Sequence, residues 1–422
     1  MDEEKNAWRV DVFLLLQSLS GNAPKFSLKN RLHRKLKQYY WFYCAGVAVC
    51  LLSISSANIA VDPYGIWFSQ RIWGWNWSKP KQTLHQRLFK AFDIAHQKPV
   101  GLILGSSRVL YSLSPDHPAL ANYQPVYNAG LSSANMYEQL RYLQHALYYQ
   151  SKLKIVIVGL DFFSFNKNIE NRPDFREDRL ARPLFLSKDY LITSLSLSVL
   201  RDSQETLKRN KLNPSIQPFY ENGFGKYREE LEQPKGSGYR LKAFEHSISS
   251  HFKSPEILGD YQISEEKLEN LKQLVEICQK NDIQLKLFIS PTHVADLEAI
   301  SAAGLWTEFE QWKRRLVKIS PVWDFSGYTP TTSEEISDQM LNYWDSHHYR
   351  RSVGDKILNV ILNDSEAVSW LDRPSSPLTQ KNIEYSLQKT RENQSIWRAQ
   401  HQSTVQWIRA LKKLHYTASN SN

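Results

Sequence analysis

Apolar and polar positions follow two periods along this chain, with one long interruption. From Tyr39 to Val61 no residue is charged. As a helix these residues would extend about 35 Å, against a bilayer core of about 30 Å, so they predict a transmembrane helix over 39–61. Leu84, Leu88, Phe92 and Ala95 fall on one stripe and predict an amphipathic helix over Gln82–Gln97. Val100–Gly105 and Lys154–Leu160 are short apolar runs, the mark of strands buried on both faces. Gln284–Ser290 predicts a third strand and Val322–Phe325 a fourth. The helical period returns over Ala134–Tyr149, Glu265–Asn281, Leu305–Ile319 and Ser352–Leu362. Alternating strands and helices predict an α/β domain over 99–364 with a mostly parallel sheet covered on both faces. Residues 162–262 interrupt that rhythm. They are rich in Arg, Lys, Asn and Pro, with one apolar stretch near Leu184–Leu200, and read as an insertion forming a lid or a partner surface.

Charge refines the picture. The chain of 422 residues carries +10, and the excess sits at its two ends. Residues 1–38 hold eight basic and four acidic side chains, and residues 371–422 hold eight and three. A nucleic-acid-binding domain needs a basic face on its folded body, so nucleic acid is excluded as a partner. A membrane surface fits better. Between Lys25 and Lys37 there are six basic residues and no acid, which places residues 1–38 in the cytoplasm and everything after residue 62 outside. Tyr39, Tyr40, Trp41 and Tyr43 crowd the start of the span, and Tyr64 and Trp67 follow its end, as an interfacial belt would. A buried core helix rarely carries such flanks. A cleaved signal peptide, with Ser55 and Ala57 near the cut, would need an unusually long leader. The expectation is a single-pass protein of the cytoplasmic membrane, with a neck and helix over 62–98 and a turn at Asp62-Pro63.

The segment 365–422 contains a linker, Asp372 to Pro377, then Trp397, Val405, Ile408, Leu411 and Leu414 among basic residues. It reads either as a basic amphipathic helix on lipid or as a helix packed on its own domain. Three cysteines exclude a disulfide scaffold and a zinc finger.

In an open parallel sheet, ligands bind beyond the carboxyl ends of the strands. After the first strand comes Gly105-Ser106-Ser107-Arg108, and after the second Asp161-Phe162-Phe163. Asn128-Ala129-Gly130 lies between them, and Asp345-Ser346-His347-His348 lies near the end of the domain. A hydroxyl nucleophile needs a base, and the base needs a group that fixes its tautomer. Ser107 on a strand-to-helix turn suits the nucleophile, and its own N–H suits an oxyanion donor. His348 suits the base, with Asp345 three residues earlier to orient it.

This order of blocks resembles the SGNH (GDSL-like) hydrolase superfamily. Gly105-Ser106-Ser107 matches the nucleophile block, Asn128-Ala129-Gly130 the second and Asp345-Ser346-His347-His348 the last, with Gly354 where a small residue often follows. The resemblance spans roughly residues 100–362. It implies a three-layer SGNH-like fold with Ser107, Asp345 and His348 as catalytic residues. It also implies oxyanion donors at Ser107 and Gly130. Membrane-anchored relatives are similar to proteins that O-acetylate exported polysaccharides. A serine esterase or O-acyltransferase of envelope polysaccharide is therefore implied, with no cofactor. A transferase would need a membrane acyltransferase partner to supply the acyl group. The third block departs from the family's Gly-x-Asn: here it is Gly159-Leu160-Asp161. An ionised Asp161 only accepts hydrogen bonds, which leaves Asn128 or Arg108 as substitutes. The departure also supports the alternative of a catalytically inactive binding or assembly protein of the envelope. His293, after the third strand, and His347 join Arg108 as candidate substrate-binding residues, and His347 is also the alternative base. His347, His348, Asp345 and Asp161 form the one conceivable metal cluster, but no His-x-His or Cys pattern supports it, so no metal is expected. Trp344 and Tyr349 either stack on a sugar ring or pack the loop.

Overall fold

The computed structural model describes residues 25–181, 184–227, 236–362, 374 and 376–419. Helix α1, Lys25–Val61, contains the charge-free run and continues back through its basic flank. Its stretch Asn30–Val61 is long and apolar enough to cross a membrane, and little of it is covered by protein. The helix stops where Asp62 takes a positive φ of 49°. The Asp62 carboxylate then accepts the Ile66 and Trp67 N–H groups, forming the expected turn. Lys79 Nζ donates to the Val61 and Asp62 carbonyls at 2.9 and 2.7 Å, satisfying acceptors that a helix end leaves bare. Burial pushes the Lys79 amine down to about 8 and raises the Asp62 carboxyl.

Two expectations for the neck are corrected. Tyr64 is buried and donates to Asp202 Oδ2 at 2.6 Å, and Trp67 packs on the Tyr190 ring. The exposed rings after α1 are instead Phe68, Trp73, Trp75 and Trp77. The expected helix over 82–97 is split into a 3-10 turn, Pro80–Thr83, and α2, Gln86–Gln97. Leu84 falls in the break and is 70% exposed rather than inward.

The domain proper runs β1 (Gly101–Leu104), the helical turn α3 (Ser107–Leu110), β2 (Val126–Asn128), α4 (Met136–Tyr149) and β3 (Ile155–Leu160). The insertion supplies α5 (Glu177–Ala181), α6 (Leu184–Leu195), α7 (Leu197–Leu212) and α8 (Tyr239–Lys253). Then come α9 (Glu265–Lys280), β4 (Gln284–Ile289), α10 (Val294–Ala302), α11 (Trp306–Ile319), β5 (Trp323–Asp324) and α12 (Arg351–Ile361). Two long helices close the chain, α13 (Ile383–Gln400) and α14 (Gln402–Ser419).

All five strands are parallel, in the order β2-β1-β3-β4-β5. Every residue of β1 and β3 is buried, as their unbroken apolar runs require. The order reverses at β1, which lies between β2 and β3, so a crevice opens beyond the carboxyl ends of β1 and β3. The expected strands are present. β2 was not expected, because three residues are too few to show a period.

The insertion is built into the body. Its α6 and α7 pack on the end of α1, and α8 packs on α10 and α14. At the C-terminus Trp397, Val405, Ile408 and Leu411 are buried, so α13 and α14 pack on the domain, and Leu414 stays exposed. Of the expected linker from Asp372 to Pro377, half (Asp372, Arg373 and Ser375) lies outside the described residues.

Candidate active site

The turn after β1 is shaped by Gly105. Its φ is 152°, and a Cβ there would overlap Val109. The chain can therefore pass directly from β1 into α3, which brings Ser107 to the crevice. Ser106 caps that turn: its Oγ accepts the Arg108 N–H at 3.2 Å and donates to Asp161 Oδ2 at 2.5 Å. Ser107 is the first residue of the turn, so its N–H has no intrahelical acceptor.

Ser107 Oγ lies 2.8 Å from His348 Nε2, and His348 Nδ1 lies 2.7 Å from Asp345 Oδ2. Asp345 Oδ1 accepts the backbone N–H groups of His347 and His348 at 2.9 and 2.8 Å. Tyr227 donates its hydroxyl to Asp345 Oδ2 at 2.7 Å. Burial would raise the Asp345 carboxyl. The His347 and His348 imidazoles and the hydrogen bonds from His348 and Tyr227 outweigh burial and hold it well below the usual carboxylate range. An ionised Asp345 accepts only, so His348 carries its proton on Nδ1 and turns the Nε2 lone pair to the Ser107 hydroxyl.

Two further contacts hold the serine turn against the histidine loop. Ser112 Oγ donates to the Tyr349 carbonyl. Gly354 of α12 sits so close to the Ser112 carbonyl that a Cβ there would overlap it.

The other sequence candidates fall elsewhere. The Gly130 N–H donates to Asn128 Oδ1 at 2.9 Å, and Asn128 Nδ2 donates to the Val109 and Leu113 carbonyls at 3.0 and 2.9 Å. Both expected oxyanion donors therefore have internal acceptors, because the Asn128 amide closes the loop after β2 onto α3. Asp161 accepts from Ser106 and pairs with Arg108 Nη1 at 3.2 Å. Its two oxygens are thus engaged in ordering the turn that carries Ser107. Arg108 is held between Asp161 and Asp296, the latter at 3.4 Å, and its buried Nε has no partner among the described residues.

His293 is buried and caps α10, accepting the Ala295 N–H on Nδ1 at 3.1 Å while its Nε2 meets the Glu334 carbonyl at 2.7 Å. Burial pushes its imidazole down to about 4, and its ring packs edge-on against Phe244 and Tyr343. Trp344 lies parallel to Tyr227 and under Arg350, and Tyr349 is fully buried, so both pack the loop.

His348, not His347, meets Ser107, and His347 Nδ1 lies 3.4 Å from Asp345 Oδ1. The His347 ring packs on His348 at 4.0 Å and on His251 at 4.5 Å, and burial holds it well below the usual imidazole range. His251 Nδ1 in turn meets Asp296 Oδ1 at 2.8 Å. Among the described residues two triplets gather ligand-type atoms within 4.8 Å, His251–Asp296–His347 and Asp345–His347–His348. Asp161 belongs to neither. The Arg108 guanidinium beside Asp296 opposes a second cation in the first triplet. The second is already committed to the Ser107 relay.

Tyr227, His251 and Asp296 escaped the sequence reading. Tyr227 and His251 come from the insertion, and no spacing links them to the blocks around Ser107 and His348. Asp296 could have been suspected from its place one turn into a helix that follows β4.

The sequence matches no protein-family model and no curated protein. The α/β fold and the site's geometry therefore carry the functional argument.

Proposed function

We propose that this chain is a membrane-anchored, extracytoplasmic serine esterase or O-acyltransferase of SGNH-like type. Its substrates would be acyl esters of envelope or exported polysaccharide. One observation carries the reading. An unbroken hydrogen-bonded relay, Ser107–His348–Asp345, stands at the carboxyl edge of the sheet where its order reverses. The resemblance of the blocks to that superfamily supplies the substrate class, and α1 with its basic flank supplies the location.

In the proposed reaction Ser107 Oγ attacks the ester carbonyl carbon while His348 Nε2 takes the hydroxyl proton. Asp345 stabilises the imidazolium and keeps its Nδ1–H in place. The Ser107 N–H is available to the developing oxyanion. Collapse expels the alkoxide, which receives the proton from His348, and an acyl-Ser107 remains. Water or a sugar hydroxyl then attacks this ester after His348 removes its proton. The products are a free acid or a transferred acyl group, with Ser107 regenerated.

A second reading, a binding or assembly protein without turnover, is favoured by one observation. The N–H of Gly130 and the amide of Asn128 are turned inward, so two of the donors implied by the resemblance are occupied. A fluorophosphonate probe on the full-length protein in detergent separates the two readings. The catalytic reading expects labelling of the wild type and none of Ser107→Ala or His348→Ala. A folded wild type that takes no label would favour the binding protein.

A further inference from the structure

The turn joining α6 to α7 is fastened to the anchor helix. Asn58 Nδ2 donates to the carbonyl oxygens of Thr193, Ser194 and Ser196 at 3.3, 2.9 and 3.1 Å. Ser203 Oγ completes the amide by donating to Asn58 Oδ1 at 3.1 Å. Asn58 lies three residues before the last residue of α1. At 1.5 Å per residue the turn is therefore held about 4.5 Å back along the span, on the apolar side of Asp62.

The composition of the turn suits that depth. Residues 190–200 contain no charge, with Lys188 and Asp189 before them and Arg201 and Asp202 after them. Asp189 is turned inward to Arg176 and Arg179, while Lys188 is exposed at the rim. Large apolar side chains point outward: Leu191 is 62% and Leu197 63% exposed, and Ile192 and Leu195 lie beside them. Two hydroxyls fold back on the backbone, Thr193 Oγ1 to the Asp189 carbonyl and Ser194 Oγ to the Leu191 carbonyl, while those of Ser196 and the exposed Ser198 bond each other at 2.7 Å. Backbone without a partner is costly in hydrocarbon and cheap in water. Here the Asn58 amide serves three carbonyls of a turn whose outer face carries four aliphatic side chains, and the hydroxyls on that face pair with each other. Both helices joined by this turn pack on α1, little of which is covered by protein.

We infer that the α6–α7 turn enters the outer part of the bilayer beside α1, so that the chain meets lipid at two places, one spanning and one dipping. The partner is the lipid surface itself. The inference rests on reading α1 as a membrane span.

The test uses the full-length chain in liposomes of phosphatidylethanolamine and phosphatidylglycerol, with Cys44→Ser and Cys50→Ser as background. Nitroxide labels are placed at Leu195→Cys and Leu197→Cys, and their collision rates with oxygen and with a water-soluble nickel chelate are compared. Leu52→Cys on the exposed face of the span is the lipid reference. Leu212→Cys, at the far end of α7 and 75% exposed, is the water reference. The expected oxygen-to-nickel ratio at 195 and 197 is several-fold above that at 212 and approaches that at 52. Ratios equal to that at 212 would place the turn in water and overturn the inference. Protection from both reagents would mean that a second copy or another protein covers the turn, which also overturns it. If Leu52→Cys itself reads as water-exposed, the span reading falls and takes this one with it. Failure of the turn alone remains distinguishable.

Discussion

The Ser112 hydroxyl donates to the Tyr349 carbonyl, five residues beyond Ser107 and one beyond His348. Ser107 and His348, the proposed nucleophile and base, come from chain segments 241 residues apart, and this bond fastens the two segments directly behind them. Gly354 completes the joint by letting α12 approach the Ser112 backbone.

That joint makes Gly354→Ala informative. The added methyl overlaps the Ser112 carbonyl, which belongs to the backbone and cannot swing aside. Overpacking of this kind costs about 1–3 kcal/mol. The expected outcome is a lower denaturation midpoint together with slower fluorophosphonate labelling. A lower midpoint with an unchanged labelling rate would show that the joint does not set the Ser107–His348 distance.

Asp345 has two kinds of support, and they should differ in weight. Asp345→Asn alters the partner of His348 Nδ1 and is expected to slow labelling about 10⁴-fold, the scale seen when a triad aspartate becomes an amide. Tyr227→Phe removes one hydrogen bond to a charged oxygen, worth about 1.5–3 kcal/mol, and is expected to slow labelling about 10- to 100-fold. Equal effects from both variants would contradict a positioning role for Tyr227.

Asp161→Asn tests the departure from the resembled pattern. If Asp161 merely stood where an oxyanion donor is needed, an amide there would speed the reaction. The structure instead commits its carboxylate to Ser106 and to the buried Arg108 guanidinium. Removing one member of a buried pair costs about 3–5 kcal/mol, toward the lower end here because Asp296 still faces Arg108. The expected outcome is loss of stability by chemical denaturation with no gain in labelling rate. A faster variant would return Asp161 to the oxyanion site.

The pH dependence of stability should carry the signature of His293. Burial lowers its folded pKa to about 4, while the unfolded side chain titrates near its ordinary value of about 6.5. Between these values the unfolded chain holds more protons. The neutral His293 therefore contributes fully above pH 6.5, and its contribution is lost as pH falls toward 4. The shift corresponds to about 3 kcal/mol at most. His293→Asn keeps a capping oxygen for the Ala295 N–H and lacks the titration. Subtracting its stability curve from that of wild type, measured by denaturant at each pH, should leave a slope confined to that window. A flat difference would contradict the assignment.

How much of this was legible in the sequence depended on the range of each signal. The apolar run from Tyr39 to Val61 and the strands β1, β3 and β4 are local patterns: the strands formed within a residue of their expected bounds, and the helix ends at Val61 as expected but begins at Lys25, because its basic flank is helical too. Ser107, Asp345 and His348 were legible because two short blocks carry them. Tyr64 misled because an aromatic ring beside a span looks the same whether it meets lipid or a partner such as Asp202. Gly130 misled for a related reason: no pattern reveals that the Asn128 amide, two residues away, takes its N–H. Tyr227 was invisible because its only link to Asp345 is tertiary.

Lys79 closes the last carbonyls of α1 with its buried ammonium, and Asn58 ties the same end to α6 and α7. On the membrane-spanning reading, the joint between anchor and body is thus a weld and not a tether. A tethered enzyme sweeps a volume set by the length of its leash. This one can only drift and spin in the plane, with Ser107 at a constant altitude and a constant tilt. On the proposed function, its working zone is a thin sheet parallel to the membrane, which a polymeric substrate would have to thread.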